Sequence, residues 1–436
     1  MKNLTSYAKP AALLVLPFFF TLPAAAQEQE RVVTLQDAVE LALRASPTMA
    51  QRQGAVTTSE SAERTSGLGA WLPSLSFSSG GSLSSTNRFN PQTNTSVSGS
   101  ADSYNARLST SMDLFTGFRR GAQLDQARAN TASAEASLVQ QQFQVALTAK
   151  QTFFNVLRAE ETIRSFQAAL ESAQQGLRAA EQRLQVGSAT RSDSLRAQLQ
   201  VMQARQSILS AQNSRRAAAY SLGALVGVDG PVFADPSTSA EPRPLAMSDE
   251  DLVQMAISVS PAVLTAEMTV RANDAAITAA RADYLPRLSA SAGYTWNNDN
   301  LAIAGGRTSW NTGLSLSYTI FNGFTREDSN ERARVNARVS RYQLDDAKRQ
   351  ARTNVSKAID DLRLAEQQIT IAREAVTVAQ EDLRVQQTRY GLGASTILDQ
   401  ITSQAAVVSA ELNLIGARYD YLVARAQLEA LVGREL

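Results

Sequence analysis

Four stretches of the chain alternate apolar and polar residues, two in each half of the sequence. They cover residues 72–89, 101–116, 286–299 and 308–321. The third stretch alternates small polar residues with Leu288, Ala290, Ala292, Tyr294 and Trp296. A period of two residues predicts β-strands with one apolar face. The pattern fits a strand of a membrane barrel and also a half-buried strand of a soluble sheet.

Two much longer segments, 118–186 and 324–392, follow a period of three and four residues. Neither contains proline, so each is predicted to form one helix about 100 Å long. Large residues alternate with alanine in the second segment, as in Leu362, Ala365 and Ile369. Such a heptad pattern predicts left-handed coiled packing with close helix approach. Gly187 and Gly393 are suited to end these helices, and returning helices are predicted at 190–227 and 396–432.

One capped helix is predicted before each strand pair. The sequences at 34–37 and 248–251 are both capping boxes, in which a Thr or Ser is followed three residues later by Asp. Each helix is predicted to continue to a Leu-Pro pair, at Leu72-Pro73 and at Leu285-Pro286, where proline ends it.

The two halves repeat each other in order. The clearest pairs are AWLPSLSFSSG and DYLPRLSASAG, MDLFTGFRRG and YTIFNGFTRE, and YSLGALVG and AQLEALVG. A further pair, QRLQVGSATRSDS and TRYGLGASTILDQ, follows the long segments. The sequence therefore predicts two structural repeats, 27–227 and 248–436, joined by an irregular Pro-rich linker at 228–247.

Aromatic residues favour the membrane interpretation of the strands, because they cluster at both ends of the strands. At the strand–helix junctions lie Trp71, Phe115, Tyr284 and Phe321, and at the loop ends lie Trp296 and Trp310. Two aromatic belts of this kind are typical of bilayer interfaces. Four strands cannot close a barrel, and a membrane tolerates no open sheet edge, so other copies must complete it. Three chains would supply twelve strands.

Composition limits the function classes. The 436 residues carry a formal net charge of +1, with no cysteine and no histidine. Disulfides, thiolate metal sites and the commonest general base are therefore excluded, and no cofactor or enzymatic activity is indicated. The first residues predict a secretory signal cleaved after Ala26, and without cysteine the mature protein would not be lipidated. No other stretch is predicted to form a transmembrane helix.

These features together resemble the TolC-type outer-membrane efflux proteins over essentially the whole mature sequence. The duplicated plan carries the resemblance, together with YLPRLSASAGYTW, YTIFNGF and TRYGLGASTILDQITSQ. The resemblance implies a mainly helical fold with a membrane β part. A homotrimer would form one twelve-stranded outer-membrane β-barrel and a coiled-coil α-barrel tunnel across the periplasm. The linker would contribute to an equatorial region of the tunnel.

The resemblance also implies a function and a set of site residues. The duct would export small molecules or proteins with a periplasmic adaptor and an inner-membrane pump or ABC exporter. Asp399 matches the constricting aspartate of the pore, and Tyr390 and Asp193 match a hydrogen-bonding pair that holds the gate closed. The adaptor would dock on the helix-tip turns at Gly187, Ser188, Gly393, Ala394 and Ser395.

The sequence departs from the family pattern at two positions near the gate. Thr402 stands where a second aspartate ring can occur, and Ser395 where an arginine can join the closing network. Fewer polar links and a weaker cation block are expected. The residues alone allow a simpler interpretation, because 190–193 and 396–399 are also capping boxes. A periplasmic structural or adaptor-like coiled coil without a pore is the alternative for the whole chain.

Overall fold

The computed structural model describes residues 31–237, 247–302 and 304–434, so the predicted signal segment lies outside the described residues. Its elements in chain order are β1 Arg31–Val33, α1 Leu35–Ala45, α2 Pro47–Arg64, β2 Ser74–Asn90, β3 Thr95–Phe115, α3 Arg119–Gln185, α4 Arg191–Val226, β4 Val232–Ala234, α5 Asp249–Val259, α6 Pro261–Arg281, β5 Arg287–Asn298, β6 Arg307–Ser317, α7 Thr325–Gly391 and α8 Ile397–Val432.

The internal repetition predicted from the sequence extends to element length. Helices α3 and α7 each have 67 residues, and α4 and α8 each have 36. Each long helix pairs with the returning helix of its own repeat, and α8 also packs against α3 of the first repeat. The predicted long and returning helices are confirmed within one or two residues at each end.

The single helix predicted before each strand pair is wrong, because each one is two helices. The breaks fall at Ser46-Pro47 and Ser260-Pro261, where serine ends one helix and caps the next. Proline at the first helical position has no N–H to lose and starts a helix readily. The first capping box is complete, with Thr34 and Asp37 bonding each other's backbone N–H. At the second box, the Asp251 carboxylate accepts from the Ser248 hydroxyl instead.

Four strands form one antiparallel sheet in the order β2-β3-β5-β6. Strand β3 begins at Thr95 and not at residue 101, so the predicted gap between the first two strands, 90–100, is too long: both strands continue to a short turn before Thr95. Serine hydroxyls pair across this hairpin, as in Ser76–Ser109 with an Oγ–Oγ distance of 2.8 Å. Strand β6 ends at Ser317, four residues before the predicted end.

The junctions between strand and long helix have the same unusual backbone in both repeats. Gly117 and Phe118 have φ of 63° and 68°, and Gly323 and Phe324 have φ of 66° and 64°. The left-handed conformation is unfavourable for phenylalanine. In both repeats this phenylalanine makes an edge-on ring contact with the aromatic residue three positions before it. The ring centroids of Phe118 and Phe115 are 5.6 Å apart, and those of Phe324 and Phe321 are 5.5 Å apart. This double turn redirects the chain from the sheet into the helix.

The Pro-rich linker is not wholly irregular, which corrects the prediction. Its residues Val232–Ala234 form β4, which pairs in parallel with β1. Residues 238–246 of the linker lie outside the described residues. Both short strands cover a core that contains Phe153, Phe154 and Tyr419. Residues from both ends of the chain and from its middle therefore share one hydrophobic core.

A second core lies between α5, α7 and α8, around Leu252, Ile359 and Tyr421. By length and composition, Asp249–Tyr284 could cross a membrane, so the prediction that no such stretch exists was too strict. This segment is interrupted at Ser260-Pro261, and its second part packs against α3 and α7.

One ion pair between α3 and α8 is largely shielded from solvent. Lys150 Nζ donates to Glu429 Oε2 at 2.6 Å, with the two side chains 19% and 11% exposed. Arg425 lies 3.6 Å from the other oxygen of Glu429. This charge cluster links the first repeat to the last helix of the chain.

Candidate functional site

The helical tip consists of the turns between α3 and α4 and between α7 and α8, at residues 186–190 and 392–396. Both turns are Schellman motifs, in which the last helical carbonyls accept bonds from the residues just beyond the helix. Ser188 N donates to Arg183 O, and Ala394 N donates to Arg389 O, both at 2.8 Å. Gly187 and Gly393 have φ of 77° and 80°, which only glycine adopts without strain. The predicted role of these glycines in turn geometry is confirmed.

Apolar side chains stand exposed on both turns. Val186 is 77% and Leu392 is 81% exposed, and they occupy equivalent positions in the two repeats. Ser188, Gly393 and Ala394 are also exposed, whereas Ser395 is partly buried, with its hydroxyl directed to Gln386 O. The tip therefore presents small and apolar groups to solvent.

Asp193 and Asp399 both serve as caps of the helix that follows. Asp399 Oδ2 accepts from Thr396 N at 2.9 Å and from the Thr396 hydroxyl at 2.8 Å, and Asp193 has the same partners in Thr190. These bonds to Thr396 lower the pKa of the Asp399 carboxyl below its ordinary value, and Arg389 adds to the effect. Asp399 is exposed and charged at neutral pH. The capping interpretation is confirmed, and it leaves the second carboxylate oxygen available.

The hydrogen bond predicted between Tyr390 and Asp193 is not formed. The Tyr390 hydroxyl, in a side chain 5% exposed, has no hydrogen-bond partner among the described residues. Burial raises the pKa of Tyr390, so its hydroxyl stays protonated. Asp193 accepts instead from Thr190 N and from the Thr190 hydroxyl in its own capping box.

Arg183 makes the contact between the two hairpins instead. Its guanidinium lies 4.7 Å from the centre of the Tyr390 ring, and Nη1 donates to the Tyr390 carbonyl oxygen. Nη2 also donates to Ser188 O at 3.2 Å, so the same side chain stabilises its own turn. The equivalent Arg389 donates to Ala394 O in its own turn and makes no hydrogen bond to the other hairpin among the described residues. Sequence reasoning missed Arg183, although an arginine at the same place in both repeats was a usable signal.

Apolar and polar contacts continue this connection above the tip. Ala180, Ala197, Tyr390 and Ile397 form a small core shared by the two hairpins. Further along α8, three side chains bond α3: Gln404 Nε2 donates to Ala169 O at 2.8 Å, Tyr419 donates to Glu161 at 3.0 Å, and Glu411 accepts from Ser165 at 2.6 Å. Helix α8 is thus attached to the first repeat along much of its length.

At the opposite end, the sheet has one apolar and one polar face. A row of large apolar residues crosses all four strands, in the register Phe77–Leu108–Tyr294–Trp310. Phe77 and Trp310 are 70% and 75% exposed, although a soluble protein would bury them. An exposed apolar face of this kind indicates contact with lipid or another chain.

The other predicted belt residues divide as expected between the two ends. Trp71, Phe115, Tyr284 and Phe321 lie where strands meet helices, and Arg120 and Arg326 pack over the rings of Trp71 and Tyr284 at 5.0 and 4.8 Å. Trp296 lies near the far end of β5, against Gly306. Within the described part of the chain, no cluster of acidic residues is arranged to hold a metal ion.

Comparison with known proteins identifies the family. The outer membrane efflux protein profile matches this chain twice, at residues 38–228 and 252–434. The chain belongs to the outer membrane efflux protein family. This is a family of membrane channels, not of enzymes.

Individual relatives agree with this assignment. The alkaline protease secretion protein AprF of Pseudomonas aeruginosa is 24% identical and aligns with 99% of this chain and 89% of its own length. Outer membrane protein TolC of Vibrio cholerae is 24% identical, over 71% and 72% of the two chains. The crystal structure of the transmembrane channel CusC superimposes with a TM-score of 0.79 at 20% identity, covering 99% of both chains. The fold is therefore that of the TolC-type channels.

Proposed function

We propose that this efflux-family protein is the passive exit duct of a tripartite efflux or type I secretion system. It would carry small molecules or proteins across the periplasm and the outer membrane. The observation that carries the proposal is the four-stranded sheet with an exposed apolar face and two edge strands, β2 and β6, whose outer edges pair with no other described strand. A membrane tolerates no unpaired edge, so neighbouring copies must pair with both strands. A homotrimer would close a twelve-stranded barrel.

The finer features of the proposal rest on the sequence and on the exposed helical tip. The leader would be cleaved after Ala26, and the mature protein would carry no lipid. A periplasmic adaptor, itself attached to an inner-membrane pump or ABC exporter, would dock on the tip turns at Gly187, Ser188, Gly393, Ala394 and Ser395. The exposed Val186 and Leu392 support this docking, because exposed apolar groups favour protein contacts. Trp71, Phe115, Tyr284, Trp296, Trp310 and Phe321 would lie at the membrane interfaces.

Three Asp399 carboxylates would form the constriction at the tip. Rings of carboxylates in narrow pores favour cations and bind divalent cations. We expect Asp399→Asn to weaken block by divalent cations about tenfold or more, equivalent to about 1.4 kcal/mol. The measurement is single-channel conductance of the purified protein in a planar bilayer, with Mg²⁺ added from the tip side.

Asp193→Asn is the matched control for Asp399→Asn, because both carboxylates cap a helix in the same way. It should leave divalent block unchanged. If both variants lose block by divalent cations equally, Asp399 acts only as a helix cap. If a well-folded trimer shows no openings at all, the duct proposal fails and a structural coiled coil without a pore replaces it.

Arg183 would hold the tip closed through Tyr390. We expect Arg183→Gln to raise the basal conductance several-fold, because it removes the cation–π contact and the bond to the Tyr390 carbonyl. Arg389→Gln removes the corresponding turn contact and none between the hairpins, so it should raise the basal conductance less than Arg183→Gln does. Equal conductance in the two variants would contradict a gating role for Arg183.

A further inference from the structure

The polar face of the sheet carries an uneven set of charges. Among strand residues with described side chains, the charged positions on this face are Arg107, Asp113, Arg287 and Arg307. Asp102 lies on the opposite face, paired with Leu83. The face therefore has an excess of positive charge, although the remainder of it is mostly serine, threonine, asparagine and glycine.

The three arginines differ in their partners. Arg287 lies at the helical end of the sheet and bonds Asp283 at 2.8 Å. Arg107 and Arg307 form no ion pair with any other described residue. Arg107 lies in the middle of the sheet, in register with Ser78 on one side and Thr295 on the other. It is therefore an uncompensated charge at the centre of the polar face.

The strands around Arg107 leave space for its side chain. A Cβ built on Gly293 would lie 3.7 Å from Arg107 Nη2 and 2.8 Å from Asn311 Oδ1. The guanidinium and the Asn311 amide thus converge above the one position of β5 that has no side chain. Gly80 lies two residues after Ser78 on β2 and pairs with Asn105. A Cβ built on Gly80 would lie 3.3 Å from Asn105 Oδ1. The Arg107 guanidinium is therefore exposed on the polar face, with the Asn311 amide of β6 beside it.

We infer that Arg107 is an anion-selecting residue of the barrel interior, and this inference rests on the proposed function. In a membrane barrel the apolar face contacts lipid and the polar face lines the channel. Three copies would place three guanidinium groups at one depth. Such a ring attracts small anions and the negatively charged groups of exported solutes. The duct would then have opposite charges at its two ends, with carboxylates at the tip and guanidinium groups in the barrel.

The test is the anion-to-cation permeability ratio, measured from reversal potentials in a KCl gradient across a planar bilayer. We expect Arg107→Gln to lower the ratio at least about twofold in dilute salt, and less in 1 M salt, where the screening length is only about 3 Å. Arg107→Lys retains the charge and should keep most of the wild-type ratio. Arg287→Gln, which changes a paired arginine at the helical end of the sheet, should have the smaller effect.

The outcomes separate this inference from the duct proposal. A wild-type trimer that does not conduct would overturn both. If the wild type conducts and Arg107→Gln, as a trimer with native β-sheet circular dichroism, keeps the wild-type ratio in dilute salt, the anion-selecting role is overturned and the duct stands. The anion-selecting role is also overturned if Arg107→Lys and Arg107→Gln have the same anion-to-cation permeability ratio. The positive charge would then not be the cause of the selectivity.

Discussion

Gly223→Ala is expected to destabilise the protein strongly, although alanine normally strengthens a helix. Gly223 lies in α4, and a Cβ built on it would lie 2.0 Å from the carbonyl oxygen of Gly230. The neighbouring atom belongs to backbone and cannot rotate away, so the linker and β4 must shift. Overpacking of this kind costs about 1–3 kcal/mol and occasionally more. Thermal unfolding of the detergent-solubilised protein, followed by circular dichroism, should show a clear decrease in the midpoint.

Gly54→Ala is the matched control for Gly223→Ala. Gly54 lies in α2, and nothing lies within 4 Å of a Cβ built there. The same substitution should therefore stabilise the helix by about 0.5–1 kcal/mol, through the higher helix propensity of alanine. Opposite signs for the two variants are the expected result. A stabilising Gly223→Ala would show that the linker does not pack on α4 in solution.

Lys150→Met is expected to cost about 3 kcal/mol, near the low end of values for a broken buried ion pair. The substitution leaves the Glu429 carboxylate in a site that is only 11% exposed. Arg425, 3.6 Å away, compensates part of the charge, which is why the lower value is expected. The same thermal unfolding measurement applies, together with trimer yield after extraction.

The double variant Lys150→Met/Glu429→Gln distinguishes lost charge balance from lost packing. The second substitution removes the Glu429 carboxylate, which Lys150 no longer neutralises. The double variant should therefore recover a large part of the lost free energy of unfolding, since uncharged replacements for buried ion pairs are often nearly neutral. A double variant as unstable as Lys150→Met would assign the loss to packing of the lysine stem. Glu429 occupies the position in the second repeat that is equivalent to Gly223 in the first. In the first repeat this position contacts the linker backbone, and in the second it forms an ion pair with Lys150.

The bounds of the long helices could be predicted closely because short sequence signals determine where these helices end. Proline, glycine and Thr-x-x-Asp sequences determine where a helix starts and stops, so the prediction of 118–186 for α3 differs by one residue at each end. Strand β3 was predicted six residues too short, because the residues around Gln92 and Gly99 have the composition of a loop. This segment is extended because it pairs with β2 along its whole length.

Contacts between segments that are distant in sequence could not be predicted from local sequence patterns. Strands β1 and β4 have three residues each and no period to detect, and they form because their partners are brought together by the helices. The Arg183–Tyr390 contact likewise depends on how the two hairpins pack at the tip. The family resemblance pointed to Tyr390 but paired it with Asp193, whereas its contact across the hairpins is with Arg183.

The shared core around Phe154 has a consequence for how the protein folds after export. Its walls include Val33 from the start of the described chain, Val232 from the linker and Tyr419 from α8. A chain delivered from its N-terminus cannot bury Phe154 until almost all of it has emerged. Contacts this distant in sequence form slowly, and the exposed intermediate is prone to aggregation. The core of the first repeat is therefore expected to stay incomplete, and open to aggregation, until α8 of the second repeat arrives.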